Sequence, residues 1–257
     1  MASLTFLGTG GGRYVILSQR RHSGGIWLDL GKRIIVDPGP GALVRAIEGG
    51  KDPMKLDAVL VSHNHLDHYN DAEVMIEAMT HGLKRRRGFF AAPESALAYI
   101  SEYHRESADV RSVRAGDVFA VGDITAEALP TAGHADGIGF RFKTGDVDIV
   151  YSSDTGFSQE LASSYRGAKT LILNVIFPSG KPIKSHLNTD SAIEVVKTAK
   201  PELCVITHFG ITMLNADPEK QAARIQAETG IKTIAATDGM TIDLEHPTEE
   251  QHKLEGF

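Results

Sequence analysis

Cysteine is almost missing: the chain of 257 residues has one, Cys204, so no disulfide can form within it. Cys204 lies in the apolar run Leu203-Cys204-Val205-Ile206 and reads as an inert core thiol. No apolar run approaches the ~18 residues of a membrane span. Nor does a basic segment followed by an apolar one open the chain, which runs at once into Leu4-Thr5-Phe6-Leu7. The expected compartment is therefore the cytoplasm. Positive charge is in deficit, 27 Lys and Arg against 33 Asp and Glu, a formal net charge of −6. A surface living on non-specific nucleic-acid contacts usually carries a basic excess. The balance favours a small or locally bound substrate over a long polyanion such as nucleic acid; no membrane partner is expected, and a homodimer is possible. Long linkers, low-complexity stretches and repeats of 20–50 residues are also lacking. The expectation is one α/β domain over residues 1–257, with 42% hydrophobic residues to build its core.

What is present is a series of short apolar runs of strand length, most ending in glycine or a polar cluster. They are Leu4–Leu7, Ile26–Leu28, Ile34–Val36, Ala58–Val61, Val118–Val121, Ile138–Phe142, Val147–Tyr151, Leu171–Phe177 and Leu203–Thr207. Helical spacing is read from Asp71 to Lys84, with Val74, Ile76, Met79 and Leu83 on one side. Asn188 reads as the N-cap of a helix carrying Ala192, Ile193, Val196 and Ala199, stopped by Pro201. Asp217-Pro218 opens another helix and Gly230 closes it.

The densest chemical signal is Ser62-His63-Asn64-His65-Leu66-Asp67-His68, directly after an apolar strand. A loop at a strand end presents consecutive side chains at one point, as a metal site requires. Three imidazoles and a carboxylate are a mixed nitrogen and oxygen set suited to zinc, iron or manganese. One ion does not easily use all four, whereas two ions about 3.5–4 Å apart do. Further candidate ligands each follow an apolar run: His134 after Leu129-Pro130, Asp154 after Val150-Tyr151, and His208 after Val205-Ile206.

His63-x-His65-x-Asp67-His68, then His134, Asp154 and His208, resembles the metallo-β-lactamase superfamily in order and spacing, over nearly the whole chain. The opening Phe6-Leu7-Gly8-Thr9-Gly10-Gly11 and the later Val36-Asp37-Pro38-Gly39-Pro40-Gly41 look like the branch that holds RNase Z and the phosphonate-pathway cyclic phosphodiesterases. Ala236-Thr237-Asp238-Gly239-Met240 is similar to the last strand of that branch. The resemblance implies a four-layer αββα sandwich with two divalent metals, zinc first and manganese or iron as alternatives, at one edge between the sheets. It places His63, His65 and His134 on one metal and Asp67, His68 and His208 on the other, with Asp154 bridging. An aspartate bridge, where many true β-lactamases carry cysteine, favours ester or phosphodiester chemistry over lactam opening.

The mechanism implied is hydrolysis by a metal-bridging hydroxide, oriented or deprotonated by Asp67. His186, in Lys184-Ser185-His186-Leu187-Asn188, matches a catalytic histidine of the RNase Z branch and would stabilise the transition state or protonate the leaving oxygen. Lys181 and Lys184 flank it and either meet an anionic substrate or are solvated. Asp37 either hydrogen-bonds a ligand histidine or serves only its Asp-Pro-Gly turn. The basic run Lys84-Arg85-Arg86-Arg87 is read as a solvated helix end, or else as a contact for a nucleotide or RNA backbone. RNase Z carries a His-Glu pair where this chain has Leu173-Asn174-Val175-Ile176, and no long basic arm for tRNA is present. The expected activity is therefore phosphodiester cleavage on a small cyclic or terminal substrate. The alternative is a thioester or lactone hydrolase with the same metals. Glyoxalase II adds a C-terminal helical glutathione-binding domain, for which the stretch after His208 reads as too short, and no flavodoxin-like extension supports a redox reading.

Overall fold

The computed structural model describes residues 2–180 and 183–247, and the backbone of 252–253. Strands β1 (Ser3–Phe6), β2 (Ile26–Asp29), β3 (Arg33–Val36), β4 (Ala58–Leu60), β5 (Phe89–Ala92) and β6 (Asp109–Ser112) come first. They are followed by β7 (Val118–Val121), β8 (Ile124–Pro130), β9 (Ile138–Thr144), β10 (Val147–Tyr151) and β11 (Thr170–Phe177). The last are β12 (Leu187–Asn188), β13 (Leu203–Thr207), β14 (Lys232–Ala235), β15 (Met240–Asp243) and β16 (His252–Lys253). Among the described residues they form two eight-stranded sheets, ordered β16-β15-β1-β2-β3-β4-β5-β6 and β14-β13-β11-β10-β9-β8-β7, with β12 paired to β11. Each sheet is mixed. In the first, β15-β1-β2-β3 are antiparallel and β3-β4-β5-β6 parallel. In the second, β7-β8-β9-β10 are antiparallel and β10-β11-β13-β14 parallel.

The period-two alternation of strand side chains divides the interior into three cores. Ile26, Leu28, Ile34 and Val36 face the second sheet, meeting Phe140, Phe142 and Ile149. Between them, Trp27 and Ile35 point the other way and pack with Met75, Ile76 and Met79 of the helix Ala72–Met79. On the far side, Leu171, Leu173, Cys204 and Ile206 meet Ile193 and Val196 of the helix Thr189–Ala199 and Ile225 of the helix Pro218–Thr229. Two sheets with helices on both outer faces are the four-layer αββα sandwich. Central strands buried on both faces explain why Leu171–Phe177 and Leu203–Thr207 read as unbroken apolar runs. Among the described residues no helix is long and apolar enough to cross a membrane.

The helix starts and stops written in the sequence are realised at Asn188, whose side chain forms a capping box with Ser191, and at Gly230, which is left-handed. The helix expected over Asp71 to Lys84 is shorter, Ala72–Met79. Thr80 turns its hydroxyl back to the Ile76 carbonyl at 2.7 Å, and His81, Gly82 and Leu83 then take positive φ, which ends the helix. Its buried face is Met75, Ile76 and Met79, while Val74 is exposed. The segment Ala236 to Gly239 is not strand but the turn between β14 and β15. There Asp238 accepts hydrogen bonds from Thr9 N (2.8 Å), Thr9 Oγ1 (2.7 Å) and His22 N (3.0 Å), tying down the glycine-rich opening loop.

Candidate metal centre

Strands β3, β4, β8, β10 and β13 all run in the direction that brings their C-terminal ends to one edge of the sandwich, between the sheets. The residues following them are Asp37, then His63 to His68, His134, Asp154 and His208. A short helix, Leu66–Tyr69, with extended His65 as its cap, turns Asp67 and His68 back toward the edge. Sequence separations of up to 171 residues, from Asp37 to His208, are thereby closed into one site.

Two donor groups result. His63, His65, His134 and Asp154 form one; Asp67, His68 and His208 form the other, and within each the donor atoms lie within 4.8 Å of one another. His63 Nε2 faces His65 Nδ1 at 2.9 Å, and His68 Nε2 faces His208 Nε2 at 3.1 Å. Asp67 Oδ2 is 3.3 Å from His208 Nε2. Asp154 lies where the groups meet: its Oδ2 is 4.0 Å from His63 Nε2 and 3.7 Å from His68 Nε2, and its Oδ1 is 3.3 Å from His208 Nδ1.

The surrounding electrostatics fit a cation. Burial, aided by the neighbouring imidazoles, holds His63 well below its ordinary pKa, and burial brings His134 down to about 4, so both present neutral rings. For Asp154, burial alone would raise the pKa, but His208, His68 and His63 outweigh it and keep the carboxylate ionised. Asp67 follows the same pattern, with His68 and His208 overcoming burial. His68 is opposite in sign: the carboxylates of Asp37, Asp154 and Asp67 overcome its burial and raise its pKa, a local demand for positive charge. His134 Nδ1 and His208 Nδ1 are buried without a hydrogen-bond partner, although the latter lies near Asp154 without the alignment of a bond. Orphaned buried nitrogens beside ionised carboxylates are costly alone and suit metal coordination.

A hydrogen-bonded layer behind the donors sets their tautomers. Asp37 Oδ2 is 2.8 Å from His68 Nδ1, which turns Nε2 toward the cluster. Asp37 also accepts from Ser62 N (2.7 Å), Ser62 Oγ (2.7 Å) and Tyr151 OH (2.8 Å). With its proton on Asp37, Ser62 Oγ accepts from Ser153 Oγ at 2.7 Å and from His63 Nδ1 at 3.0 Å, leaving His63 Nε2 with its lone pair. Asn174 Nδ2 donates to Asp154 Oδ1 at 2.8 Å, and Gly12 N to Asp67 Oδ2 at 2.8 Å. Asp37, Ser153 and His208 all have left-handed backbones, φ 52, 54 and 62°, strained conformations gathered at the site. Gly11 is glycine because a Cβ there would overlap the His208 ring. Ser62, Tyr151, Ser153 and Gly12 escape sequence reasoning. The hydroxyls directly preceding His63 and Asp154 are the one signal available for them.

His186 stands beside the donors with Nδ1 3.6 Å from Asp154 Oδ2 and its ring 5.2 Å from that of His134. Burial lowers its pKa, so a neutral imidazole faces the cleft. That cleft, about 380 Å³, runs between Ile16, Leu66 and Ile176. Asn174, from the Leu173–Ile176 stretch, donates to Asp154, and the carboxylate beside His186 is Asp154. Lys184 is exposed and does not line the cleft; Lys181 lies outside the described residues. The run Lys84–Arg87 is away from it too. Arg87 donates to the carbonyls of Met79 (2.6 Å), Leu56 (2.9 Å) and Met54 (3.1 Å), so it caps the helix that ends at Met79 and pins the loop beneath.

Residues 32–209 match the family model described as Beta-lactamase superfamily domain. An uncharacterized protein of Methanocaldococcus jannaschii is 37% identical, over 94% of this chain and 94% of its own. A ribonuclease Z of Methanopyrus kandleri is 27% identical, over 93% of this chain and 96% of its own. Among solved structures, the metallo-β-lactamase fold protein YhfI of Bacillus subtilis superposes with a TM-score of 0.81 at 19% identity, covering 93% of this chain and 98% of that one.

Proposed function

The chain belongs to the β-lactamase superfamily, among whose members it is a metal-dependent hydrolase, and we propose that it is a binuclear phosphodiesterase acting on a small cyclic or terminal phosphodiester. The observation that carries this reading is Asp154, within 4.0 Å of both donor groups and 3.6 Å from the free histidine His186. An oxygen donor at that point suits hard divalent ions, which in turn would bind phosphate oxygens. The likeness to a ribonuclease Z adds a relative whose name is that of a phosphodiester-cleaving enzyme.

His63, His65 and His134 would hold one ion, Asp67, His68 and His208 the other, with Asp154 between them; zinc suits the donors, and manganese or iron are accepted by the same set. Divalent ions there supply Lewis acidity and a water acidified toward neutral pH. The protein's own groups do the rest. Asp67, held ionised and fixed by Gly12 N, is the group placed to orient the nucleophile or take its proton. The resting ring of His186 is neutral; once it takes up a second proton, with Nδ1–H turned to the Asp154 carboxylate, its Nε2–H would donate from the cleft side to the leaving oxygen. The substrate is a small anionic molecule rather than a long nucleic acid, consistent with a net charge of −6. The same reading takes residues 1–257 as one domain.

Purified protein should hydrolyse bis(p-nitrophenyl) phosphate in preference to thioester and lactone panels. Cleavage of thioesters with every phosphodiester untouched would sink the proposal. Metal analysis should give two equivalents per chain, and fewer in His63→Ala and Asp154→Ala.

A further inference from the structure

Two clefts flank His65, and they differ in charge. The one of about 380 Å³ contains Arg13, Ile16, Leu66 and Ile176 beside His186. The other, about 420 Å³, is bounded by Ser95, His134, Asp136 and Ser185. Arg13 is the sole Lys or Arg lining either cleft among the described residues. Its neighbour Gly12 is bonded to Asp67, so the Arg13 backbone is fixed next to the donor groups. The Arg13 side chain is exposed at the mouth, and no carboxylate pairs with it among the described residues. Opposite, Asp136 holds its carboxylate in place with bonds from Ser95 N (3.1 Å) and Ser95 Oγ (2.8 Å).

We infer that Arg13 recognises a second anionic group of the substrate, beyond the scissile phosphodiester, and that the uncharged arm lies on the Asp136 side. The inference rests on the phosphodiesterase reading and deepens it. The donor groups and their ions meet the scissile phosphate; a guanidinium at the mouth, reaching past them, meets what lies beyond. A planar fork of donors without an internal counter-ion is matched by a phosphate in two parallel hydrogen bonds. In the same cleft as the cation and donors, Ile16, Leu66 and Ile176 offer apolar surface for the carbon skeleton that joins the two anionic groups. Asp136 repels an anion from the other cleft, so the two arms are sorted by attraction on one side and repulsion on the other. The substrate class is thus an unsymmetrical phosphodiester with a terminal phosphate on one arm.

The test compares thymidine 5′-(p-nitrophenyl phosphate) with the same diester phosphorylated at its 3′ oxygen. The wild type should favour the second by about ten-fold in kcat/KM, the scale of one charge-assisted contact. Arg13→Ala should bring the ratio close to one, Arg13→Lys should retain part of it, and Arg13→Glu should invert it. Calorimetry supplies a readout independent of turnover: thymidine 3′,5′-bisphosphate should bind the wild type more tightly than thymidine 5′-monophosphate, and equally in Arg13→Ala. An unchanged ratio in Arg13→Ala, in kinetics or in binding, overturns the inference while leaving the phosphodiesterase reading in place. Failure to cleave either diester overturns that reading, and the binding comparison then decides on Arg13 alone. Metal content equal to wild type in each variant shows that the donor groups are intact.

Discussion

Asp37 Oδ2 lies 2.8 Å from His68 Nδ1, so a carboxylate from the end of β3 fixes the ring of a donor that follows β4. The same oxygen also accepts from Ser62 Oγ and Tyr151 OH, binding three separate segments at one buried atom. A carboxylate behind an imidazole raises its basicity and holds its tautomer. Asp37→Asn should therefore weaken metal affinity by about 10- to 100-fold while the fold persists, since groups of this kind typically have that effect. Competition with a chelator, followed by metal analysis, measures it; wild-type affinity in the variant would show Asp37 to serve its turn alone.

Gly11 tests the site by shape rather than by ligand chemistry. An added Cβ would overlap the ring of His208, whose backbone is already left-handed at φ 62° and cannot easily yield. Gly11→Ala should displace that ring and lower the metal stoichiometry below that of the wild type. Equal metal content in both proteins would mean that His208 is not held where its role requires.

The donors were legible because each follows an apolar strand, and strand direction alone brings those ends to one edge. Cap chemistry made the helices at Asn188 and Asp217 readable for an equally local reason. Less visible were β5 and β6, Phe89–Ala92 and Asp109–Ser112, short strands whose place depends on parallel neighbours far away in sequence. The hydrogen-bonded layer was almost silent. Asp37 could be suspected, but that Ser62 and Tyr151 converge on it, with Ser153 behind Ser62, depends on segments far apart in sequence meeting. Arg87 shows the converse: a basic run suggested a solvated surface, whereas its guanidinium holds carbonyls from 54, 56 and 79. Nothing in composition separates those two fates of an arginine.

Cys204 gives a prediction from pH. Burial pushes its thiol up to about 12, partly offset by Thr233, so at pH 8 it is almost wholly protonated, and the thiolate is the reactive form. Ellman's reagent should detect no thiol in the native protein and one per chain after denaturation. An unfolded cysteine titrates near 8.5, roughly, so above that pH the folded state binds more protons than the unfolded one and stability falls as pH rises toward 12. Cys204→Ala should flatten that part of the stability curve; an equally steep curve would assign it to other groups.

His186 separates chemistry from metal binding. It belongs to neither donor group, yet its Nδ1 is 3.6 Å from Asp154 and its ring lines the cleft. If it donates to the leaving oxygen, His186→Ala should keep the full metal content and lose about 10²- to 10⁴-fold in kcat, the range for a positioned proton donor. The loss should shrink as the leaving group improves, because a p-nitrophenolate needs little help while an alkoxide needs much. Comparing bis(p-nitrophenyl) phosphate with an alkyl phosphodiester therefore distinguishes proton donation from a merely structural role, which would depress both substrates alike. A drop in metal content would place His186 among the donors, and equal losses on both substrates would remove it from the leaving-group step.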